Sequence, residues 1–192
     1  MTPDQIAWQT QSVLLGYPSS LDDLPLLRRA ASTLDSRVGG PLLGFLDHAE
    51  RTPLTALSAD YVATFDQRKK CCLYLTYYAH GDTRKRGMAL LALKQRYAAA
   101  GLALRDDELP DHLAVALEYA ASVDPADGRE LLVAHRAGLE LLRLALQDAK
   151  SAWAGVLTSV CATLPPLRGD ESTAVARLAA QGPPEEQVGV YR

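Results

Sequence analysis

Valine and isoleucine are sparse in this sequence, aromatic side chains make up 6% of its 192 residues, and no apolar run is long enough to span a bilayer. The first two scarcities argue against an all-β protein, whose strands draw on β-branched and aromatic residues. The third argues against membrane insertion. Cysteine is limited to three, an odd number that excludes a fully paired disulfide framework. Cys71 and Cys72 are adjacent, and adjacent cysteines rarely bridge each other, so a reducing, cytoplasmic compartment is expected. The opening MTPDQIAWQTQ is polar and lacks a basic start, so no signal peptide is expected. An excess of one charge is also missing. With 20 basic against 23 acidic side chains the net charge is −3, which gives no drive toward nucleic acid.

Signatures of catalysis and metal binding are equally scarce. The four histidines, His48, His80, His112 and His135, form no pair at i, i+3 or i, i+4, and none stands at ligand spacing from a cysteine. A zinc site needs three or four such ligands brought together, so no metal is expected. No phosphate loop, no G-x-G-x-x-G after a strand and no G-x-S-x-G elbow occurs. Cys71, Cys72 and Cys161 read as small core residues on helical faces. The expectation is therefore no catalytic residue and no cofactor.

What the sequence does have is alanine and leucine, the main part of an apolar content of 48%. Both are strong helix formers, and the chain has the length of one ordinary domain. An all-α, single, bundle-like domain over residues 1–166 is expected, followed by a weakly structured tail, 167–192. Apolar spacing predicts helices over about 3 to 15, with Ile6, Val13 and Leu14 on one side, and 21 to 36, with Ser20 as cap and Pro25 in the first turn. The GGP at Gly39 to Pro41 reads as a break, followed by helices over 42 to 51 and 54 to 65. Further helices are expected over 71 to 79, 83 to 100 (ending at Gly101), 112 to 122 (capped by Asp111), 129 to 147 and 150 to 163. DPADG, Asp124 to Gly128, reads as a stop, and the tail holds one amphipathic piece, 172 to 180.

The stretch YYAHGDTRKRG, Tyr77 to Gly87, gathers the most chemistry. One reading is a solvated first helical turn with Asp82 as N-cap. That leaves Arg84, Lys85 and Arg86 at the positive end of a helix dipole, where cations are disfavoured. A second basic run, Arg68 to Lys70, lies upstream, with Tyr74, Tyr77 and Tyr78 between. Tyrosine offers a large amphipathic contact with few rotors to freeze. The candidate partner-binding set is thus Tyr74, Tyr77, Tyr78, His80, Asp82, Arg84, Lys85 and Arg86, with one or two of the tyrosines in the core. The acidic DDELPD, Asp106 to Asp111, reads either as a solvated loop with a cap or as a docking edge for a basic peptide.

Together, LLGYPS at 14–19, YVATFD at 61–66, LYLTYYAHGDTRKRGMALLALKQRY at 73–97 and ELPDHLAVALEYAA at 108–121 resemble the assembly chaperone of respiratory nitrate reductase, its delta subunit. That family belongs to the dedicated chaperones of molybdenum oxidoreductases. The resemblance covers roughly 5 to 165 and not the tail. It implies a helical, cytoplasmic protein without catalysis of its own. Such a protein binds the N-terminal segment of the apo catalytic (alpha) subunit, supports molybdenum cofactor insertion and delays membrane attachment. On that reading, reversing the charge at Arg84 and Arg86 should weaken client binding without unfolding the chain, whereas substituting Asp82 should act through lost capping. The alternatives are a helical adaptor with another client, or an enzyme with a site near His80, Asp82 and Tyr78.

Overall fold

The computed structural model describes residues 1–105, 108–182 and 184. Asp106 and Asp107 of the acidic stretch lie outside them, as do Pro183 and 185–192. The fold is all-α. Among the described residues eleven α-helices succeed one another: α1 (Pro3–Leu15), α2 (Leu24–Ser32), α3 (Ser36–Arg51), α4 (Leu54–Tyr61), α5 (Leu75–His80), α6 (Arg84–Ala99), α7 (Leu113–Ser122), α8 (Pro125–Ala134), α9 (Arg136–Asp148), α10 (Ala154–Ala162) and α11 (Gly169–Gln181). Among the described residues no helix is long and apolar enough to cross a membrane.

One continuous core runs from Trp8 to Leu164. Helix α1 lies at its centre, against α7 on one side and α10 on the other, while α3 packs on both α2 and α10. A capping box starts α1: Thr2 Oγ accepts from the Gln5 amide, and the Gln5 side chain accepts from the Thr2 amide. Most polar groups that α1 buries find partners, although Gln11 Oε1 has none among the described residues. Gln11 Nε2 donates to Ser159 Oγ at 2.9 Å, Ser159 Oγ donates to the Val38 carbonyl at 2.7 Å, and Trp8 Nε1 donates to Thr163 Oγ1 at 3.0 Å. Trp153 is surrounded by Phe45, Tyr61 and Phe65 with ring centroids 5.2–5.6 Å away, and its Nε1 donates to the Leu14 carbonyl. A buried indole N–H left without an acceptor would cost about 1–3 kcal/mol, so these bonds fix register as well as filling space.

Two sequence signals resolve differently from their local reading. The GGP at 39–41 does not break a helix: α3 runs through it, with Pro41 inside. The glycines allow close neighbours there instead. A Cβ on Gly39 would lie 2.4 Å from the Ala31 carbonyl oxygen, and one on Gly155 would lie 2.8 Å from that of Pro41. Packing on both flanks outweighs the roughly 3 kcal/mol that an interior proline costs a helix. DPADG follows the end of α7 at Ser122, as expected of a stop, but it also starts the next helix. Asp124 Oδ1 accepts from the amides of Ala126 and Asp127, and Pro125 opens α8. The single helix expected over 129 to 147 is therefore two, parted at His135. Val13, expected on the core side of α1, is 43% exposed. The tail expected over 167–192, with one amphipathic piece at 172 to 180, contributes α11 to the described residues.

Helices α7 and α8 meet at Gly128, where a Cβ would lie 2.4 Å from the Ala120 Cα, whereas nothing lies within 4 Å of a Cβ on Gly40. Opposite outcomes follow from one chemical change. Gly128→Ala should destabilise by about 1–3 kcal/mol through overpacking, and Gly40→Ala in α3 should stabilise by about 0.5–1 kcal/mol. Urea denaturation of the two variants measures both signs.

Candidate functional site

Two peptide groups clamp the segment before α5 to the segment before α7. The Leu75 amide donates to the Asp111 carbonyl and the Leu113 amide to the Leu73 carbonyl, both at 2.8 Å. This antiparallel bridge sets Tyr74 opposite His112, their rings meeting edge to face at 5.5 Å between centroids. The chain is extended at Tyr74 and His112 because α5 and α7 begin only after them.

Behind the bridge lies a carboxylate with no solvent exposure. Asp111 Oδ2 accepts from Thr76 Oγ1 and faces Arg86 Nη2 at 3.4 Å, and Oδ1 has no hydrogen-bond partner among the described residues. Arg86 also reaches Asp82 at 3.4 Å and lies over the Tyr74 ring at 5.3 Å. Its side chain is 19% exposed. One guanidinium thus ties the α5–α6 turn, the Asp111 carboxylate and the Tyr74 ring into a single unit.

This geometry reassigns several of the candidate residues. Tyr78 is a core residue: its hydroxyl donates to the Cys72 carbonyl at 2.8 Å, its ring packs where a Cβ on Gly138 would stand, and burial pushes its pKa well up. Arg86 is a half-buried tie to the buried Asp111 rather than a surface cation. Asp82 does not cap α6 but reaches Arg86; Thr83 occupies the cap position without a side-chain cap bond, its hydroxyl donating instead to the His80 carbonyl at 2.8 Å. Asp111 does not cap α7 either. His112 does, its Nδ1 accepting from the Ala114 amide. Tyr77 meets the Tyr78 ring edge to face, His80 ends α5 half-buried, and Arg84 and Lys85 stand exposed on α6. The exposed side chains and the buried ones therefore do not form one cationic face.

What the site does form is a cleft of about 530 Å³ between α1 and the start of α7. Val13, Leu109, Val115, Tyr74 and His112 supply apolar and aromatic lining, and Glu108 and Glu118 supply negative charge. Val13 and Leu109 are 43% and 42% exposed, and Tyr17, 57% exposed, follows the Gly16 that lines the same cleft. Tyr74 is the candidate residue that reaches this cleft. Leu109, His112, Val115 and Glu118 all lie in the ELPDHLAVALEYAA stretch that carries the resemblance, and Leu109 in the DDELPD read as a possible docking edge, but none is singled out there as a candidate; Val13 is expected in the core with Ile6 and Leu14. Among the described residues no group of three or more His, Cys, Asp and Glu side chains could hold a metal ion. Burial raises all three thiols, Cys72 and Cys161 to about 11.

The ties behind the cleft and its histidine give two expected outcomes. Removing one member of a buried ion pair typically costs about 3–5 kcal/mol, so Arg86→Glu should lower the urea midpoint strongly. Lys85→Glu, fully on the surface, should stay within about 0.5 kcal/mol of the parent. Burial pulls the pKa of His112 below its ordinary value, and His135 is lowered in the same way. The unfolded chain therefore takes up protons below about pH 6.5 that the folded chain does not, and stability falls as pH drops through that window. Protonation would also remove the Nδ1 acceptor that caps α7. His112→Asn keeps a cap acceptor and should flatten the thermal-denaturation profile between about pH 6.5 and 5, leaving the slope that His135 causes.

Comparison with known proteins adds the family. The model of the nitrate reductase delta subunit family matches residues 30–159. A nitrate reductase-like protein, NarX of Mycobacterium tuberculosis, is 40% identical over 163 residues, covering 82% of this chain and 24% of its own; the chain spans about a quarter of that relative. NarJ of Bacillus subtilis, named as a nitrate reductase molybdenum cofactor assembly chaperone, is 32% identical over 166 residues, 85% of this chain and 90% of its own. NarJ of Escherichia coli is 33% identical over 152 residues, 79% and 60% respectively. The fold is shared with the crystal structure of a redox enzyme maturation protein from Archaeoglobus fulgidus, at a TM-score of 0.61 and 20% identity over 82% of this chain and 91% of that one. This chain belongs to the nitrate reductase delta subunit family.

Proposed function

We propose that this protein is a cytoplasmic assembly chaperone of a nitrate reductase. It binds the N-terminal segment of the apo catalytic subunit, supports insertion of the molybdenum cofactor into that client before membrane attachment, and performs no chemistry of its own. The family and the NarJ names support the chaperone part. The observation that carries the binding part is the cleft between α1 and α7, with exposed Val13 and Leu109 beside the Tyr74–His112 pair and acidic Glu108 and Glu118 among its lining. An amphipathic peptide helix docks by laying its apolar face into such a groove. The acidic groups then favour a client segment with lysine or arginine on its solvent side and speed its encounter.

The bridge at 73–75 and 111–113 explains why the site is ready before the client arrives. Tyr74 and His112 are held by backbone bonds and by the Arg86 guanidinium, so little rotamer freedom is lost on binding, and preorganisation of this kind favours affinity.

Titration of a fluorescent peptide copying the client's N-terminal segment tests the reading. Val13→Asp should weaken binding about tenfold, equivalent to about 1.4 kcal/mol, with an unchanged urea midpoint because Val13 is half exposed. Glu118→Lys should slow association and reduce its salt dependence. Binding to the cleft is ruled out if both variants bind as the parent does.

A further inference from the structure

A second cavity, of about 480 Å³, opens between α3, the end of α4 and the connection from α9 to α10. It shares no lining residue with the cleft between α1 and α7. The stretch YVATFD, which carries part of the family resemblance, forms one wall. There α4 runs into a five-residue π-helical turn, Val62–Asp66, closed by the Gln67 amide donating to the Val62 carbonyl at 3.2 Å. Single π turns occur often at functional sites. This one packs Phe65 against Trp153 and sets Thr64 on the cavity lining, 9% exposed and with no side-chain hydrogen bond among the described residues. Ser151, from the α9–α10 connection, lines the same cavity, and its Oγ is buried without a partner among the described residues. Buried polar groups are nearly always paired, so two unpaired hydroxyls on one cavity call for a ligand that pairs them.

The backbone beside Ser151 is strained. Among the described residues Lys150 is the one non-glycine with a positive φ, at +52°. It ends α9: the Lys150 amide donates to the Gln147 carbonyl and the Ser151 amide to the Leu146 carbonyl, both at 2.9 Å. Helices commonly close in this way on glycine, because other side chains are strained in left-handed backbone. A lysine held there costs the fold stability and puts a cation on the cavity lining, and strain of this kind is stored at functional sites. Arg68, the first of the Arg68 to Lys70 run, supplies a second cation to the lining. Both side chains are exposed, and neither forms an ion pair among the described residues. His48 adds a half-buried ring, and Asp60 is the one carboxylate on the lining.

We propose that this cavity binds a small, hydroxylated phosphate monoester through its phosphate group. Arg68 and Lys150 neutralise the phosphate charge, and the hydroxyls of Thr64 and Ser151 gain the acceptors they lack, in bonds strengthened by that charge. A carboxylate only accepts hydrogen bonds, so Asp60 takes the ligand's own hydroxyl groups rather than its phosphate. Arg68 and Lys150 against Asp60 leave an excess of one positive charge on the lining, which suits a single phosphate better than a chain of them. The site stands apart from the peptide cleft, and the two can be tested separately.

Titration calorimetry of the full chain at low ionic strength tests this with two probes, inorganic phosphate and glycerol 3-phosphate. Both should bind, the monoester more tightly. Lys150→Gly should weaken monoester binding about tenfold, as expected for one lost charge-assisted hydrogen bond, while raising the urea midpoint by relieving the left-handed lysine. A lysine kept only for the fold would not give those opposite signs. Thr64→Val keeps the shape of the side chain and removes its unpaired hydroxyl; it should also weaken binding about tenfold without lowering the midpoint. The surface variant Lys85→Gln should bind as the parent does. The proposal is overturned if neither probe binds, if the monoester binds no better than inorganic phosphate, or if only vesicles of phosphatidylglycerol bind. It is equally overturned by a lowered midpoint in Lys150→Gly, by unchanged binding in Lys150→Gly and Thr64→Val, or by equal weakening in Lys85→Gln. None of these outcomes bears on the peptide cleft.

Discussion

The meeting of Arg86 with the fully buried carboxylate of Asp111 organises the functional end of this molecule. A charge without solvent is expensive unless it is paired and hydrogen-bonded, so Asp111 dictates its surroundings. Thr76 must present its hydroxyl, α5 must begin where it does, and α6 must bring a guanidinium back across the turn. The backbone bridge at Leu73–Leu75 and Asp111–Leu113 is the scaffold that makes this possible. Tyr74 and His112, which face the cleft, inherit their positions from groups that never touch it.

The two sides of the bridge have different work. On its buried side Thr76, Arg86 and Asp111 Oδ2 hold one another, and substitutions there register as stability. On its open side Val13 and Leu109, each more than two-fifths exposed, line the cleft with Val115, whose other side packs on the core, and substitutions at the exposed pair register as recognition. Arg86 belongs to the first side although its position in the run Arg84-Lys85-Arg86 suggests the second. Reversing its charge would confound unfolding with lost binding, which is why the lining of the cleft gives the cleaner probe.

The sequence made the helical class legible through its alanine and leucine spacing, and α1, α6, α7 and α10 lie close to their expected spans. It misled where a local signal was overruled by packing. Gly39-Gly40-Pro41 looks like a turn, but close contacts from Ala31 and Gly155 hold it helical; Asp124-Pro125, read only as a stop, also starts a helix. In the site, the segment Tyr77 to Gly87 was recognisable as special, yet its residues divide between core, tie and surface. The division depends on Asp111, some 25 residues away in sequence from Arg86, and no spacing rule links the two. The cleft itself joins α1 to α7, a long-range pairing that only the fold creates.

Burial of the sulfur atoms has a practical consequence. With Cys71 and Cys161 in the core and all three sulfhydryls kept protonated far above neutrality, the folded chain is a poor target for alkylating or oxidising reagents, which attack thiolates. Labelling chemistry will therefore mark opened molecules in preference to closed ones. A maleimide time course becomes a clock for global opening, built into the natural sequence without any engineered probe.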